Sequence, residues 1–238
     1  WHVDGQKVWT SLAHLADWCF VIARTEPGSS RHKGLSYLLV PMDQPGIEVR
    51  PIVQLTGTSE FNEVFFDDAV TGADNVVGEP GEGWRVAMGT LAFERGVSTL
   101  GQQVGFAHEL TDVLRLAQQN GAVEDPLVAD RLVDAWAGLQ VLGPTAPRPL
   151  DNDAASSTGV EASVSKLLWA PWHQQLGELA MAVQGPSATL VDGDDLSPLQ
   201  NLFLFTRSDT IYGGSNEVQR NIIAERRWGL PRDSWSRS

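Results

Sequence analysis

Glu94 lies in a stretch with the composition expected around a partly buried general base. Its neighbours along the chain are apolar or small, and they are Met88, Leu91, Phe93, Gly96 and Val97. In such surroundings the pKa of a carboxyl group rises, which makes it a usable base near neutral pH. A solvated Glu94–Arg95 pair explains the same residues, because adjacent residues on a helix do not face each other. The residues alone leave both interpretations open.

A second candidate is the glycine-rich segment Tyr212-Gly213-Gly214-Ser215-Asn216, which stands directly before a predicted helix. Backbone N–H groups at such a position can bind an anion or the polar edge of a ring system. A plain turn between two helices, with Ser215 as the N-cap, accounts for the segment without any ligand. This motif is therefore weak when it is taken by itself.

The histidines do not form a metal-binding pattern. They are scattered along the chain and have no paired His, Cys or carboxylate spacing: His2, His14, His32, His108 and His173. No metal is therefore expected. His173 follows Trp172 on a predicted helix and is expected to be a half-buried surface histidine. The chain also has neither a Gly-Lys-Ser/Thr phosphate loop nor a Gly-x-Ser-x-Gly turn.

Composition bounds the class of protein. The chain has 238 residues, of which 42% are hydrophobic, and 17 basic against 30 acidic residues give a net charge of −13. This acidity argues against binding to nucleic acid or to an anionic membrane surface. The single cysteine, Cys19, excludes a disulfide framework. We find no apolar run of membrane-span length and no signal-peptide pattern, so a cytoplasmic location is expected.

The first third of the chain reads as a small antiparallel β domain, predicted over residues 1–77. Short apolar runs at 18–23, 35–40, 47–52 and 62–66 are separated by turn residues. Asp4-Gly5 is typical of a hairpin turn, so Trp1 is expected to lie in a strand already. The domain is accordingly predicted to be incomplete at its N-terminus.

A linker rich in helix breakers is predicted over residues 78–83, and a helical bundle domain over 84–238. Apolar residues from Leu91 to Leu114 are spaced by three or four positions, or by near multiples, which predicts an amphipathic helix of about nine turns. Further helices are predicted at 126–142, 160–183, 199–207 and 217–227. The helix at 126–142 is expected to end there because Gly143, Pro144 and two further prolines follow it. The fold class is therefore α+β, with an up-and-down helical bundle after the β domain.

Together these segments resemble the flavin-dependent acyl-CoA dehydrogenases. The opening residues 1–18 are similar to the middle β domain of that family, and residues 61–68 and 76–78 to its closing strand. Phe93-Glu94-Arg95-Gly96 resembles the start of the first helix of the C-terminal domain. The C-terminal signature is the most specific part and extends from Ile211 to Arg226, followed by Gly229-Leu230-Pro231-Arg232.

The resemblance implies oxidation of the Cα–Cβ bond of an acyl-CoA thioester to the enoyl-CoA. A glutamate removes the α proton, and the β hydrogen leaves as hydride to N5 of FAD. Many members carry this glutamate directly after the signature tyrosine, but that position here is Gly213. A minority carry it on the first C-terminal helix before an arginine, which corresponds to Glu94 and Arg95. Glu94 is therefore predicted to be the catalytic base.

The same resemblance assigns the remaining site residues. Trp9 and Ser11 match the positions that pack against the flavin ring and donate near its N5, and Ser215 and Glu217 match positions near the cofactor. The residues predicted to contact the substrate are Arg95, Tyr212 and Gly213. FAD is the implied cofactor. Electron-transfer flavoprotein is the implied electron acceptor.

Two departures from the family pattern concern the oligomer, for which the resemblance implies a tetramer. The family usually carries an arginine after the first C-terminal helix, where this chain has Gln118 to Val123. It commonly carries Gln-x-x-Gly-Gly-x-Gly where this chain has Gln184-Gly185-Pro186-Ser187. Both motifs reach the FAD of a neighbouring subunit. A hetero-oligomer whose partner supplies them is therefore predicted, with a homotetramer as the alternative.

Two other functions remain open at this stage. The chain could be a non-catalytic subunit or fragment of an acyl-CoA dehydrogenase complex, which keeps the fold without turnover. It could also be a relative with different flavin chemistry, such as a monooxygenase or a nitroalkane oxidase. Glu94 favours the dehydrogenase, because a base at that point has little use in a purely structural subunit. A bulky CoA thioester, such as a sterol side chain, is the substrate suggested by analogy.

Overall fold

The structure is a computed structural model that describes residues 1–145, 160–191, 193 and 195–231, without the side chains of 92–100 and 144–145. The chain divides into two compact units, Trp1–Phe93 and Glu94–Ser238. We call them the β unit and the helical unit. Strands precede helices along the chain, which confirms the predicted α+β class. The linker at 78–83 stays a prediction.

The β unit consists of two antiparallel sheets. Its strands are β1 (His2–Ser11), β2 (Trp18–Arg24), β3 (Leu35–Pro41), β4 (Ile47–Ile52) and β5 (Phe61–Val70). β5 lies between β1 and β4, and β2 pairs with β3. The four internal strands predicted from the apolar runs are confirmed. Alternate side chains from both sheets form a shared core, which includes Val3, Val21, Leu38, Val40, Val64 and Phe66.

The hairpin predicted at Asp4-Gly5 is wrong. β1 continues through this dipeptide, and its register against β5 shifts between Val3 and Gly5, where Gly5 has a φ of 139°. The residues that favour a tight turn also suit a β-bulge, because glycine adopts a positive φ without steric cost. Asp4 has a local role there, since its Oδ1 accepts a hydrogen bond of 2.8 Å from the Asp68 N–H.

The helical unit follows the predicted periodicity. Its helices are α1 (Gly83–Gln119, which begins in the β unit), α2 (Pro126–Thr145), α3 (Val160–Gln184), α4 (Pro198–Thr206) and α5 (Asn216–Trp228). Short 3₁₀ turns occupy Ala122–Glu124 and Gly185–Thr189. The predicted helices are confirmed, α2 to α5 with bounds within three residues, whereas α1 extends beyond the stretch from Leu91 to Leu114 at both ends. No helix in the described part of the chain is long and apolar enough to cross a bilayer.

α3 is the central helix of this unit and packs against α2, α4 and α5. Its side chains Trp172, Leu176 and Leu179 lie in the core with Phe106 of α1. α2 approaches α3 closely at Gly138, where a Cβ atom would lie 2.4 Å from Cδ1 of Trp172. The buried residues on one face of α3 therefore fix the positions of the neighbouring helices.

The ends of the last two helices are set by local side-chain chemistry. Ser197 and Gln200 form a reciprocal capping box at the start of α4. Ser215 is the N-cap of α5, and Gly229 ends that helix with a φ of 64°. Ser215 therefore sets the point at which the segment that joins α4 to α5 ends.

α2 extends further than predicted. The helix includes Gly143 and Pro144 and ends at Thr145, three residues beyond the predicted end. A proline in the last turn removes one N–H donor, but few helical turns follow that it could disrupt. The other two prolines of this segment, Pro147 and Pro149, and the predicted loop 151–159 lie outside the described residues.

Candidate functional site

The turn between α4 and α5 is held through three consecutive carbonyl oxygens. The Lys166 ammonium donates a hydrogen bond to the Tyr212 carbonyl. The Gln219 side-chain amide donates to the carbonyls of Gly213, at 3.0 Å, and Gly214, at 3.1 Å. Both donating side chains are buried. The path of the backbone through this turn is therefore fixed from inside the helical unit.

The two glycines of the turn have conformations and surroundings that exclude larger residues. Gly213 has a φ of 62° and Gly214 a φ of 92°. A Cβ atom at 214 would lie 2.5 Å from Nε2 of Gln219, and one at 213 would lie 3.2 Å from Nζ of Lys166. The position at which the resemblance places the base of many acyl-CoA dehydrogenases thus has no side chain here, and the Lys166 ammonium lies next to it.

The N–H groups of this turn form a second row of polar atoms. Those of Gly213, Gly214 and Ser215 make no hydrogen bond with the residues that the structure describes. All three residues are at least partly exposed. They also stand at the N-terminal end of α5, where the helix dipole favours negative charge. The turn can therefore bind an anionic or carbonyl oxygen.

Ser215 and Glu217 both lie at the start of α5 and contribute to the N-terminus of this helix. Ser215 Oγ accepts a hydrogen bond of 3.4 Å from the Val218 N–H, as an N-cap does. Glu217 is exposed in the first turn of α5. Its own backbone N–H and the Ser215 hydroxyl lower the pKa of its carboxyl group. Their predicted contacts with a cofactor stay predictions.

Tyr212 lies between a cation and aromatic rings. Nζ of Lys166 is 4.6 Å from the centre of its ring, and the ring centres of Trp169 and Phe205 are 6.2 and 6.4 Å away. Burial and the negative charge of Asp209 raise the pKa of its hydroxyl well above the usual range. Tyr212 is therefore neutral at physiological pH, and its predicted substrate contact stays a prediction.

His173 is not the half-buried surface histidine that the sequence predicted. It is buried, and its two ring nitrogens contact Asp209 Oδ2 at 2.8 Å and Glu109 Oε2 at 2.7 Å. Burial lowers the pKa of His173, but the hydrogen bonds to the two carboxylates and their charges outweigh it and raise that pKa to about 9. A protonated His173 therefore links α1, α3 and the residues before the glycine turn.

Trp9 has an uncommon backbone conformation in β1. Its φ is 62°, and the register between β1 and β5 shifts between Lys7 and Thr10. The Trp9 side chain is 62% exposed and meets the Phe61 ring edge to face at 6.0 Å. A positive φ is rare for a bulky residue, and residues with such strained backbones cluster at functional sites.

Ser11 lies two residues further along β1, opposite Phe61. It is exposed, and its hydroxyl makes no hydrogen bond with the described residues. Trp9 and Ser11 thus offer a flat aromatic surface and a hydroxyl donor within one short segment. This pairing of groups suits a polar aromatic ligand.

The predicted base Glu94 and its neighbour Arg95 lie on α1, as expected. Their side chains are outside the described residues, so their roles stay predictions. Glu94 is the first residue of the helical unit, the unit that also carries the glycine turn.

Sequence reasoning missed the residues that support the turn, namely Lys166, Gln219 and Asp209. The sequence contains a signal for Lys166, because the residues near this lysine in its predicted helix are mainly apolar or small. Lysine is seldom buried unless its charge is compensated. The other two are ordinary surface residue types, and no local pattern predicts their burial.

The two segments that depart from the family pattern are used structurally here. The Asn120 amide donates to the Val183 carbonyl at 2.8 Å and its Oδ1 accepts from the Ala122 N–H at 3.0 Å. Gln184 ends α3, and Gly185 follows with a φ of 62°. Asn120 therefore ties the end of α1 to the end of α3 and offers no cation to a ligand.

Comparison with known families gives two matches that together cover most of the chain. Residues 1–69 match "Acyl-CoA dehydrogenase, middle domain", and residues 81–227 match "Acyl-CoA dehydrogenase, C-terminal domain". The chain belongs to the acyl-CoA dehydrogenase family. The resemblance inferred from the sequence is thereby confirmed, and with it an oxidoreductase family.

Two relatives are similar over almost the whole chain. Acyl-CoA dehydrogenase IpdE1 of Mycobacterium tuberculosis is 63% identical over 98% of this chain and 60% of its own length. Acyl-CoA dehydrogenase IpdE1 of Mycolicibacterium smegmatis is 61% identical over 98% of this chain and 58% of its own length. The chain thus spans about three fifths of these relatives.

Solved structures of acyl-CoA dehydrogenase type share the fold. A variant of the Tcur3481-Tcur3483 steroid ACAD has a TM-score of 0.85 at 25% identity, over 98% of this chain and 62% of that one. The ChsE4-ChsE5 complex from Mycobacterium tuberculosis has a TM-score of 0.77 at 27% identity, over 98% and 62%. The second of these structures is a complex of ChsE4 with ChsE5.

The chemistry of several residues of this chain fits a flavin nucleotide. In the β unit, Trp9 exposes a flat ring and Ser11 a hydroxyl donor. In the helical unit, the buried Asn216 Oδ1 has no hydrogen-bond partner in the described part of the chain and can accept a hydrogen bond from a ligand. FAD is the cofactor that this family implies.

Proposed function

We propose that the full-length protein containing this chain catalyses FAD-dependent α,β-dehydrogenation of an acyl-CoA thioester to the enoyl-CoA. The observation that carries this proposal is the turn at Gly213. It has no carboxylate, and the group nearest to a side chain there is the Lys166 ammonium. A family member with this turn needs its base elsewhere, and Glu94 on α1 stands at the alternative position.

Glu94 removes the α proton of the substrate in this proposal. Its placement before Arg95, on the helix that opens the helical unit, supports the assignment. The unpartnered N–H groups of Gly213 and its neighbours suit the thioester oxygen, which gains negative charge as the proton leaves. Arg95 and Tyr212 are proposed to bind the substrate. Electron-transfer flavoprotein is the proposed acceptor, and the cytoplasm the proposed location.

The cofactor is held by the residues already named. Trp9 packs against the flavin ring, the Ser11 hydroxyl donates to it, and Ser215 and Glu217 bind near it. When bound, FAD supplies the hydride acceptor for the β hydrogen. The exposed ring of Trp9 and its strained backbone support its part in this assignment, because a ligand can offset that strain.

We also propose that the protein works as a hetero-oligomer, with a tetramer as the expected size. Asn120 is engaged with α3, and the segment after Gln184 lacks the family's glycines. A homo-oligomer would leave the FAD diphosphate without its usual cation, and each charge-assisted hydrogen bond lost costs about 1.5–3 kcal/mol. Native mass spectrometry of the full-length protein tests this. A homotetramer with one FAD per subunit would refute it.

The activity is tested with full-length protein purified from its natural source, so that any partner chain co-purifies. Butyryl-CoA, octanoyl-CoA and cyclohexanecarboxyl-CoA serve as probes, with ferricenium as the electron acceptor. Mass spectrometry should show the loss of two hydrogen atoms from at least one probe. A protein that carries FAD but leaves every probe unchanged would favour the non-catalytic subunit instead.

A further inference from the structure

Lys166 is a buried cation at the centre of the candidate turn. Lys166 lies on α3, the central helix of the helical unit, and is only 7% exposed. The ammonium donates to the Tyr212 carbonyl and lies 5.4 Å from the ring centre of Trp169. Burying an ammonium is costly unless its surroundings compensate the charge. These contacts supply part of that compensation.

The position of the ammonium relative to residue 213 is the decisive observation. Lys166 Nζ lies 3.2 Å from the point where a Cβ atom of residue 213 would be. It therefore stands beside the space that a side chain at 213 would occupy. The absence of a side chain at Gly213 thus coincides with a buried lysine ammonium beside that position.

The peptide between Tyr212 and Gly213 connects this cation to the exposed face of the turn. The peptide is trans, so its C=O and N–H groups point in opposite directions. Lys166 holds the C=O, which leaves the Gly213 N–H on the other side. That N–H makes no hydrogen bond with the residues described. A cation on the carbonyl also polarises the peptide and strengthens its N–H as a donor.

We propose that Lys166 is a positioning residue of the dehydrogenation site, one that acts through the Tyr212–Gly213 peptide on the thioester oxygen of the substrate. This inference rests on the proposed function. As the α proton leaves, negative charge grows on the thioester oxygen, and a fixed, polarised N–H stabilises that charge more than it stabilises the resting substrate. Lys166 therefore accelerates proton removal and contributes little to binding.

The test compares Lys166→Met and Lys166→Gln with the unchanged full-length FAD-containing protein. Methionine keeps the length of the side chain but has neither charge nor donor, and glutamine keeps a neutral donor. Lys33→Met is the matched control, because Lys33 is an exposed lysine of the β unit. Stopped-flow absorbance follows flavin reduction by the probe acyl-CoA that reacts fastest with the unchanged protein. FAD content and circular dichroism are recorded for each variant.

We expect Lys166→Met to slow the limiting rate of flavin reduction by about tenfold to a hundredfold, the scale of losing electrostatic support for a developing charge. The dissociation constant of the probe and the FAD content should change less than threefold. Lys166→Gln should recover part of the rate, and Lys33→Met should match the unchanged protein. If Lys166→Met does not fold, Lys166→Gln decides by the same measurement.

Several outcomes would contradict the proposed role of Lys166. Unchanged rates in the folded Lys166 variants would overturn the inference, and so would a loss confined to FAD content or probe binding. Loss of the fold in both variants would overturn it too, because Lys166 would then be a determinant of stability. If the unchanged protein carries FAD and no probe reduces it, the proposed function fails, which is a separate outcome.

Discussion

The Trp9 segment of β1 and the glycine turn before α5 are both irregular, but they are stabilised in different ways. The turn has its carbonyls bound by the buried side chains of Lys166 and Gln219. The Trp9 segment has a strained backbone and a side chain that is mostly exposed. The helical unit thus holds its irregular turn with buried side chains, whereas the irregular segment of the β unit keeps its aromatic side chain exposed.

Replacement of His173 is expected to have the largest effect on stability, because this residue links α1 and α3 to the segment before the glycine turn. His173→Gln removes the cation between two carboxylates, one of which, Asp209, is fully buried. Breaking a buried ion pair in this way costs about 3 kcal/mol or more. Urea unfolding followed by circular dichroism should show that loss, while His108→Gln, on the exposed side of α1, should stay within about 0.5 kcal/mol.

Hydrogen exchange localises the effect of His173→Gln. Amides of α3 and of the segment 207–215 should exchange faster, and those of β1 and β5 should not change. Equal acceleration in both units would contradict the idea that only the turn is held by this cluster.

The same cluster predicts a dependence of stability on pH. His173 has a pKa of about 9 in the folded protein, against about 6.5 in an unfolded chain. The folded state therefore binds the proton more tightly, and the stabilisation is complete below about pH 6.5 and is lost as the pH rises through about 9. The groups that face the ring are Asp209 and Glu109. The free energy of unfolding should fall over this range in the unchanged protein and be flatter in His173→Gln.

Two glycines at the ends of α5 measure how closely the turn is packed. Gly214→Ala brings a methyl group against Nε2 of Gln219, whereas Gly229→Ala meets nothing within 4 Å. Both glycines have a positive φ, so each substitution costs about 1 kcal/mol in backbone strain. Gly214→Ala should lose about 1 kcal/mol more, because Gln219 must give up a hydrogen bond. Equal losses by urea unfolding would show that the turn can relax.

The exposed Trp9 side chain of the β unit is expected to contribute to FAD affinity. Trp9→Ala should raise the dissociation constant of FAD about fivefold in the full-length protein, since a stacked aromatic contact contributes on the order of 1 kcal/mol. Trp18→Ala removes another exposed tryptophan of the β unit and serves as the control. Fluorescence titration of the FAD-free protein measures both constants. Equal FAD affinity in the two variants would remove Trp9 from the cofactor site.

The sequence predicted the strands and helices because their apolar periodicities are local. It predicted the glycine turn but not its supports, since Lys166 is 46 residues from Tyr212 along the chain. His173 was misassigned for the same reason, because its partners are 36 and 64 residues away. The hairpin predicted at Asp4-Gly5 was wrong for another reason. The same dipeptide suits both a hairpin turn and a β-bulge, and only the pairing of β1 with β5 decides between them.

The central claim is that Glu94 supplies the base that Gly213 cannot, and Glu94→Gln in the full-length FAD-containing protein tests it most directly. Glu124→Gln, at the 3₁₀ turn after α1, is the control. Flavin reduction by an active acyl-CoA, followed by stopped-flow absorbance, should slow at least about a hundredfold in Glu94→Gln with FAD content unchanged, because general-base removal has that scale. A rate close to that of the unchanged protein would contradict the assignment.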